Sequence, residues 1–458
     1  MRIEQITAFL YSLKPRGIRF GLENTRLVLE RLGNPQDNFK VIHIAGSNGK
    51  GSTAAFLDSI LQRSGSKVGL YTSPHLNHYR ERFRVAGVNV SDRAIELAAE
   101  RLLSEGLGQN PRDIANWVTQ QNLVEKMNAE NWYNQRGGTD DFCRLTFFEC
   151  TTILAVLIFA ELGVDLAIME CGMGGRLDAT NVFTPVLSMI TPIHLEHTEW
   201  LGDTIAAIAS EKAAIIKPDI PVVCGRQVSE AAEVIVEQAS TVGAPLSMMF
   251  DDFEGWGDWQ AVYFRTPSRQ LGPIRLGLAG VHQIDNAAMA VGGLDHLAQA
   301  GIEVSDHKVE QGLAKVNWPA RFERFGPDGE WIVDGAHNPD GVRALAAATK
   351  DTFGDQPVQL VFGVLGEKDA AQMLSILEPL SERIELVFPQ DARGRDPLTL
   401  KSYIKIASRI HTSVSEALDS LAAEPGSPVL IAGSLTIAGE ARTWLEKREI
   451  GPFCHPTT

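Results

Sequence analysis

Cysteine is scarce: there are five in 458 residues, at 143, 150, 171, 224 and 454, and no two form a CxxC pair. An odd, scattered set supplies neither a disulfide frame nor a structural zinc site, and it suits a reducing compartment. Positive charge is in deficit, with a formal net charge of −15. That balance argues against nucleic acid or an anionic membrane as a partner. No apolar run reaches the roughly 18 residues that a membrane span needs. The opening MRIEQITAFLYSLKPRG has no apolar stretch of signal-peptide type. Short repeats and low-complexity tracts are absent too. These absences leave a soluble, cytoplasmic globular protein as the expectation. Its length exceeds what one core supports, so two domains are expected.

Apolar runs recur at 41–45, 67–72, 164–170, 186–191 and 220–224, with helical patterns between them. That alternation predicts a mostly parallel sheet wrapped by helices, with ligands beyond the carboxyl ends of its strands. A polar stretch within 104–145, densest at 128–142, reads as an exposed insertion. The segment 251–275 reads as a small subsidiary sheet, followed by a helix at about 282–300. After Trp318-Pro319 a second α/β series begins, with strand-like runs at 331–335, 358–366, 384–389 and 428–433. The joint falls near 314–319. The expected fold is therefore α/β: a P-loop-type, mostly parallel ATPase domain over 1–316, then a smaller Rossmann-like α/β domain over 317–458.

The most informative stretch is Ile42 to Thr53, an apolar strand leading into GSNGKGST. Strand, glycine-rich turn, lysine and helix N-terminus are the parts of a phosphate cradle, because free backbone N–H groups and the helix end attract anions. Lys50 adds a mobile charge, and Ser52 or Thr53 can serve Mg²⁺. Gly51 separates the lysine from the hydroxyls, unlike the standard P-loop. A structural turn is the bland alternative, and the flanking elements favour the nucleotide.

A second stretch, MECGMGGRLDATN (169–181), puts Glu170 at a strand end, where a Mg²⁺-associated carboxylate belongs, with Arg176 able to reach a ligand. By itself it reads equally well as a glycine-rich turn with a surface ion pair. His194 and His197 follow another strand, with Glu196 between them as a supporting partner. Two histidines three apart with no third ligand nearby argue against zinc, and an oxygen-rich Mg²⁺ site fits better. On the helix at 204–216, Lys212 is either solvated or turned into the site. In the second half, Asp334 ends a strand and can accept from a ribose hydroxyl. His337 and Asn338 orient a small polar substrate or cap the next helix, and Gly433-Ser434 ends another strand.

Taken in order, GSNGKGST (46–53), SPHL (73–76), TFFE (146–149), ECGMGGRLDATN (170–181), EHTEWLG (196–202), EKAAIIK (211–217), HQIDNAAMA (282–290) and DGAHNP (334–339) resemble the folylpolyglutamate synthase / dihydrofolate synthase family of the Mur-ligase superfamily. The resemblance runs from about Phe20 to Ser434. It implies an ATP-driven amide ligase acting through an acyl phosphate, with dihydropteroate or a reduced folate and L-glutamate as substrates and a monomeric enzyme. It implies nucleotide contacts at Ser47, Asn48, Gly49, Lys50, Gly51, Ser52, Asn286, Arg321 and Asp334. Ser73, Glu170 and His197 are implied as ligands of two Mg²⁺ ions, and Lys50, Lys212, His197 and Glu170 as the catalytic set. Lys212 matches a lysine carbamylated in many members. Pterin contacts fall to Phe20, Gly21, Thr146, Phe147, Phe148, Glu149, Leu177, Asp178 and Ala179, and glutamate contacts to His337 and Ser434. The family's Pro-Gly-Arg reads Pro319-Ala320-Arg321 here, keeping the arginine but stiffening the turn. The rivals are a muramyl-peptide ligase of the same superfamily and a P-loop switch that hydrolyses ATP to change shape. The lack of an obvious domain before the phosphate loop disfavours the first. The DGAHNP segment disfavours the second.

Overall fold

The computed structural model describes residues 1–14, 21–120, 145–424 and 426–453. Phe20, the expected insertion at 128–142, Cys143 and Cys454 lie outside them. The described chain divides into two compact units, one of 1–255, 264–271 and 286–313, the other of 256–263, 272–285 and 314–458.

The first unit carries an eight-stranded sheet: β1 (Lys40–Ala45), β2 (Val68–Tyr71), β3 (Phe83–Val85), β4 (Val88–Asn89), β5 (Leu166–Glu170), β6 (Leu187–Ile190), β7 (Val222–Cys224) and β8 (Leu246–Met248). Their order is β4-β3-β2-β5-β1-β6-β7-β8. All ladders from β2 to β8 are parallel, and the β3–β4 hairpin is added antiparallel at one edge. β5 and β6 are buried along their whole length and rich in aliphatic residues, as a sheet covered on both faces requires.

On one face lies α2 (Phe147–Glu161), preceded in the chain by α1 (Lys50–Leu61). Nearly every side chain of α2 is buried, so this helix is apolar all round and sits inside the core. Thr146 caps it: Glu149 N–H donates to Thr146 Oγ1 at 3.2 Å, and Thr146 N–H donates to Glu149 Oε2 at 2.7 Å. On another face, α3 (Ile205–Ala213) packs Ile208 and Ala209 with Ile190, Val222 and Cys224.

Strands β9 (Glu254–Asp258), β10 (Ala261–Arg265) and β11 (Gln270–Ile274) form the expected small sheet, and α4 (His282–Gln299) follows. The larger sheet of the second unit contains β12 (Glu323–Phe325), β13 (Trp331–Val333), β14 (Val358–Phe362), β15 (Ser381–Val387), β16 (Ser408–His411) and β17 (Val429–Ala432), ordered β12-β13-β17-β14-β15-β16. Only β12 runs antiparallel. Helices α5 (Pro339–Phe353) and α6 (Leu435–Lys447) begin directly after β13 and β17 through short loops. The mostly parallel α/β class expected from the sequence is the fold observed. Among the described residues, no helix is long and apolar enough to cross a membrane.

Candidate active site

The phosphate loop leaves β1 at Ala45 and enters α1 at Lys50, so the backbone N–H groups of the first helical turn end the loop. Two glycines are sterically required. A Cβ on Gly46, at φ 143°, would lie 1.8 Å from Thr191 Oγ1, and one on Gly49, at φ 90°, would lie 2.3 Å from Asn286 Oδ1. Gly49 therefore lets Asn286, on α4, come up to the loop. Ser47 locks the loop to the segment after β6: its Oγ accepts from His194 N–H at 3.0 Å and donates to His194 O at 3.2 Å. Asn48 N–H and Ser47 N–H both donate to Pro192 O. Gly51 and Ser52 lie in the first turn of α1, and Ser52 is buried.

Two ammonium groups meet at one carbonyl. Lys50 Nζ donates to Gly46 O at 2.7 Å and Ser47 O at 3.1 Å, and Lys212 Nζ donates to the same Gly46 O at 2.9 Å. Lys212 is buried on α3, and its other partner is Glu196 Oε1 at 2.8 Å. The solvated alternative for this lysine is thus excluded, and Glu196 serves Lys212. Burial pulls the Lys212 ammonium below its usual range, Glu196 pushes it back up, and Lys50 lowers it further. Burial raises the Glu196 carboxyl, but Lys212 and Lys50 outweigh that and hold it at about 2. The Glu196 carboxylate is therefore ionised at neutral pH.

Glu170 ends β5, buried, and its Oε2 accepts from Ser73 N–H at 3.0 Å. A carboxylate and a serine hydroxyl on adjacent chain segments are hard oxygen donors, which fit Mg²⁺. No cluster of three or more His, Cys, Asp or Glu that could hold a metal ion is present among the described residues. His197 is exposed at a left-handed position, φ 48°, at the start of a short helix. Arg176 does not reach inward. It is exposed and pairs with Glu211 at 2.8 Å.

Beside Ser73 lies a cavity of about 450 Å³ lined by Thr146, Phe147, Phe148, Leu177, Asp178 and Met173, among others. Glu149, Ala179 and Gly21 are not on its wall. Glu149 is turned into the helix cap. Asp178 accepts N–H bonds from Gly172, Met173 and Thr180, with a fourth bond from Thr180 Oγ1, so it shapes the wall loop. Burial raises its pKa.

The sequence reading overlooked two cationic lining residues, Lys14 and Arg82. Arg82 is buried, 5.3 Å from the Phe147 ring centroid, and its Nε donates to His75 Nδ1 at 2.8 Å. Burial and Arg82 hold His75 at about 3, so the ring is neutral. Its Nε2 then carries the proton and meets Tyr11 Oη at 3.1 Å. Arg82 lies only six residues beyond SPHL (73–76), but nothing in that charged run marked it as buried.

In the second unit, Asp334 is buried after β13 and accepts from Phe322 N–H and Ala336 N–H, both at 2.7 Å. Burial raises its pKa, and Arg321 lowers it in part. His337 Nδ1 lies 2.8 Å from Gly335 O. Asn338 and Ser434 cap α5 and α6, accepting from Gly341 and Ile437 N–H. Ala320 adopts φ 55°, the conformation that glycine takes without strain. We expect Ala320→Gly to stabilise the protein by about 1 kcal/mol, measured by denaturant titration.

Residues 320–435 match the family model described as Mur ligase, glutamate ligase domain. With the phosphate loop and the buried carboxylate at the end of β5, that match defines an ATP-dependent ligase of the Mur type. The chain is 33% identical to the folylpolyglutamate synthase of Lacticaseibacillus casei, over 97% of this chain and 99% of that protein. It is 32% identical to the dihydrofolate synthase/folylpolyglutamate synthase of Bacillus subtilis, over 94% and 96%. It also spans about half (52%) of a probable bifunctional folylpolyglutamate synthase/dihydropteroate synthase of Haloferax volcanii, at 35% identity. Among solved structures it resembles E. coli FolC in complex with DHPP and ADP, at a TM-score of 0.82 and 28% identity over 98% of this chain and 99% of that one. The chain belongs to the folylpolyglutamate synthase / dihydrofolate synthase family.

Proposed function

We propose that this chain uses ATP and a divalent metal ion to join L-glutamate to dihydropteroate, to reduced folates, or to both. The observation that carries this reading is the continuity of the ring-sized, aromatic-walled cavity with Ser73, which binds Glu170. A flat ring system held between Phe147, Phe148 and Leu177 directs its carboxylate toward the phosphate loop. The carboxylate oxygen attacks the γ-phosphorus of ATP, the bond to the β,γ-bridging oxygen breaks, and ADP leaves. The glutamate amine then attacks the acyl carbon, inorganic phosphate departs, and the amine proton passes to solvent. Lys50 and Lys212 neutralise phosphate charge, and the buried setting strengthens that effect. Mg²⁺, when bound by Ser73 and Glu170, with His197 serving a second ion, supplies further charge neutralisation.

The division of labour follows residues 1–316 for nucleotide and pterin and 317–458 for glutamate ligation. Arg321 and Asp334 serve the nucleotide, and His337 and Ser434 serve the amino acid. The enzyme works as a cytoplasmic monomer. Carbamylation of Lys212 would turn its ammonium into a carboxylate facing Glu196, so it requires a cation between the two.

Phosphate release decides between ligase and switch. The ligase needs both a pteroate or folate acceptor and L-glutamate. ATP hydrolysis that is indifferent to both would refute this reading. Assaying dihydropteroate and tetrahydrofolate side by side with labelled glutamate separates the two activities. Glu170→Ala is expected to raise the Mg²⁺ concentration for half-maximal rate by about tenfold or more. An unchanged Mg²⁺ titration removes Glu170 from the metal shell.

A further inference from the structure

The second unit contains a cavity of about 540 Å³ whose wall includes Arg275, Lys315, Arg321 and Arg324. No residue of the 46–53 loop lines it. In a protein of net charge −15, four cations around one cavity stand out. Among the described residues, Arg275, Lys315 and Arg321 form no ion pair. Glu323 also lines the wall, but it is taken by Arg442 Nε at 3.0 Å and by Ala320 N–H at 2.9 Å. The wall therefore carries four cations against one carboxylate.

The wall is built, and it is partly aromatic. Leu276 N–H donates to Trp259 O at 2.8 Å, and the buried Trp259 ring lies 5.5 Å from the Arg275 guanidinium. Gly277 lets the 275–279 segment close on 314–316, because a Cβ there would lie 2.4 Å from Val316 O. Arg324 is pinned by hydrogen bonds to Gly329 O and Asp328 O, and its guanidinium lies 4.4 Å from the Phe453 ring. Phe453 N–H in turn donates to Arg324 O at 2.8 Å. Burial lowers the Arg324 pKa, Glu330 raises it and repulsion from Arg275 lowers it again.

We infer that this cavity binds an anion of two or more charges joined to a planar ring. Guanidinium and ammonium groups take phosphates or carboxylates, and Trp259, Trp318 and Phe453 supply an aromatic part of the wall. Nucleoside diphosphates and pteroyl oligo-γ-glutamates both have this chemistry.

Calorimetric titration of the full chain with Mg²⁺ present, in the wild type and in variants of Arg275 and Lys315, separates the sources. ADP and pteroyltriglutamate are the ring-bearing probes, and tripolyphosphate and triglutamate are their ringless counterparts. At least one ring-bearing probe is expected to show a binding event beyond one per catalytic site, and that event should weaken as salt rises. Arg275→Glu and Lys315→Glu should each weaken it by about tenfold or more, with thermal midpoint and turnover at saturating substrate unchanged. Equal binding by wild type and both variants overturns the inference, as does the absence of any such event. Ringless probes that bind as tightly as their counterparts also overturn it. Ligation is assayed on the same preparations, so a failure here is distinct from a failure of the ligase reading.

Discussion

Lys50→Ala is expected to lower turnover about a thousandfold or more while leaving the fold intact. Lys50 holds the loop only through carbonyl contacts, to Gly46 O and Ser47 O, and Gly46 O keeps its second donor, Lys212, in the variant. Alanine is also a good residue for a first helical turn. Circular dichroism and the thermal midpoint should therefore change little. In the mechanism we propose, the lost ammonium neutralises the phosphate charge that builds as the acyl phosphate forms, so kcat should fall much further than nucleotide affinity. Lys50→Arg keeps the charge but replaces a compact ammonium by a broad planar fork, and it should recover only a small part of the rate. Single-turnover phosphate release with both substrates present reads the effect directly. Near wild-type turnover in Lys50→Ala would remove the residue from the chemistry.

Much of the fold was legible because strand burial follows sequence directly. The five apolar runs of the first half became β1, β2, β5, β6 and β7, with ends shifted by one or two residues. Runs buried on both faces need no partner to declare them. The phosphate loop was legible for a related reason: Gly46 and Gly49 sit where any side chain would strike Thr191 or Asn286. What stayed hidden depends on contacts distant in sequence. Glu196 and Arg176 each had a plausible local role, yet Glu196 pairs with Lys212, 16 residues on, and Arg176 with Glu211, 35 residues on. TFFE reads in sequence as a ligand motif. In the structure Thr146 and Glu149 close a helix cap while Phe147 and Phe148 face the cavity, so one motif does two jobs. Arg82 reads as one charge among several in YRERFR, yet it is buried, with its guanidinium 5.9 Å from the Tyr79 ring centroid and 5.3 Å from that of Phe147.

Lys212→Met should cost about 3 kcal/mol at neutral pH in protein free of nucleotide and metal. The loss comes less from the ion pair than from leaving Glu196 half-buried without its main partner. Its pH dependence carries a sign. In the wild type the folded-state pKa of Glu196 is about 2, below its ordinary value of 4.5, so its contribution is complete above pH 4.5 and disappears as pH falls toward 2. In the variant Glu196 titrates closer to its ordinary value, so the stability gap between the two proteins should be widest above pH 5 and should close between pH 4.5 and about 2. Paired denaturant titrations at pH 7, 5, 4 and 3 follow the gap, and the difference cancels the other carboxylates. Lys212→Met combined with Glu196→Gln should restore much of the loss, because two neutral groups replace one stranded charge. Intact mass of the same wild-type protein should show an unmodified chain, since a carbamate without an intervening cation would face the Glu196 carboxylate. A gap that does not change with pH, or a carbamate present without metal, would mean that the Lys212–Glu196 pair does not set the charge behind the phosphate loop.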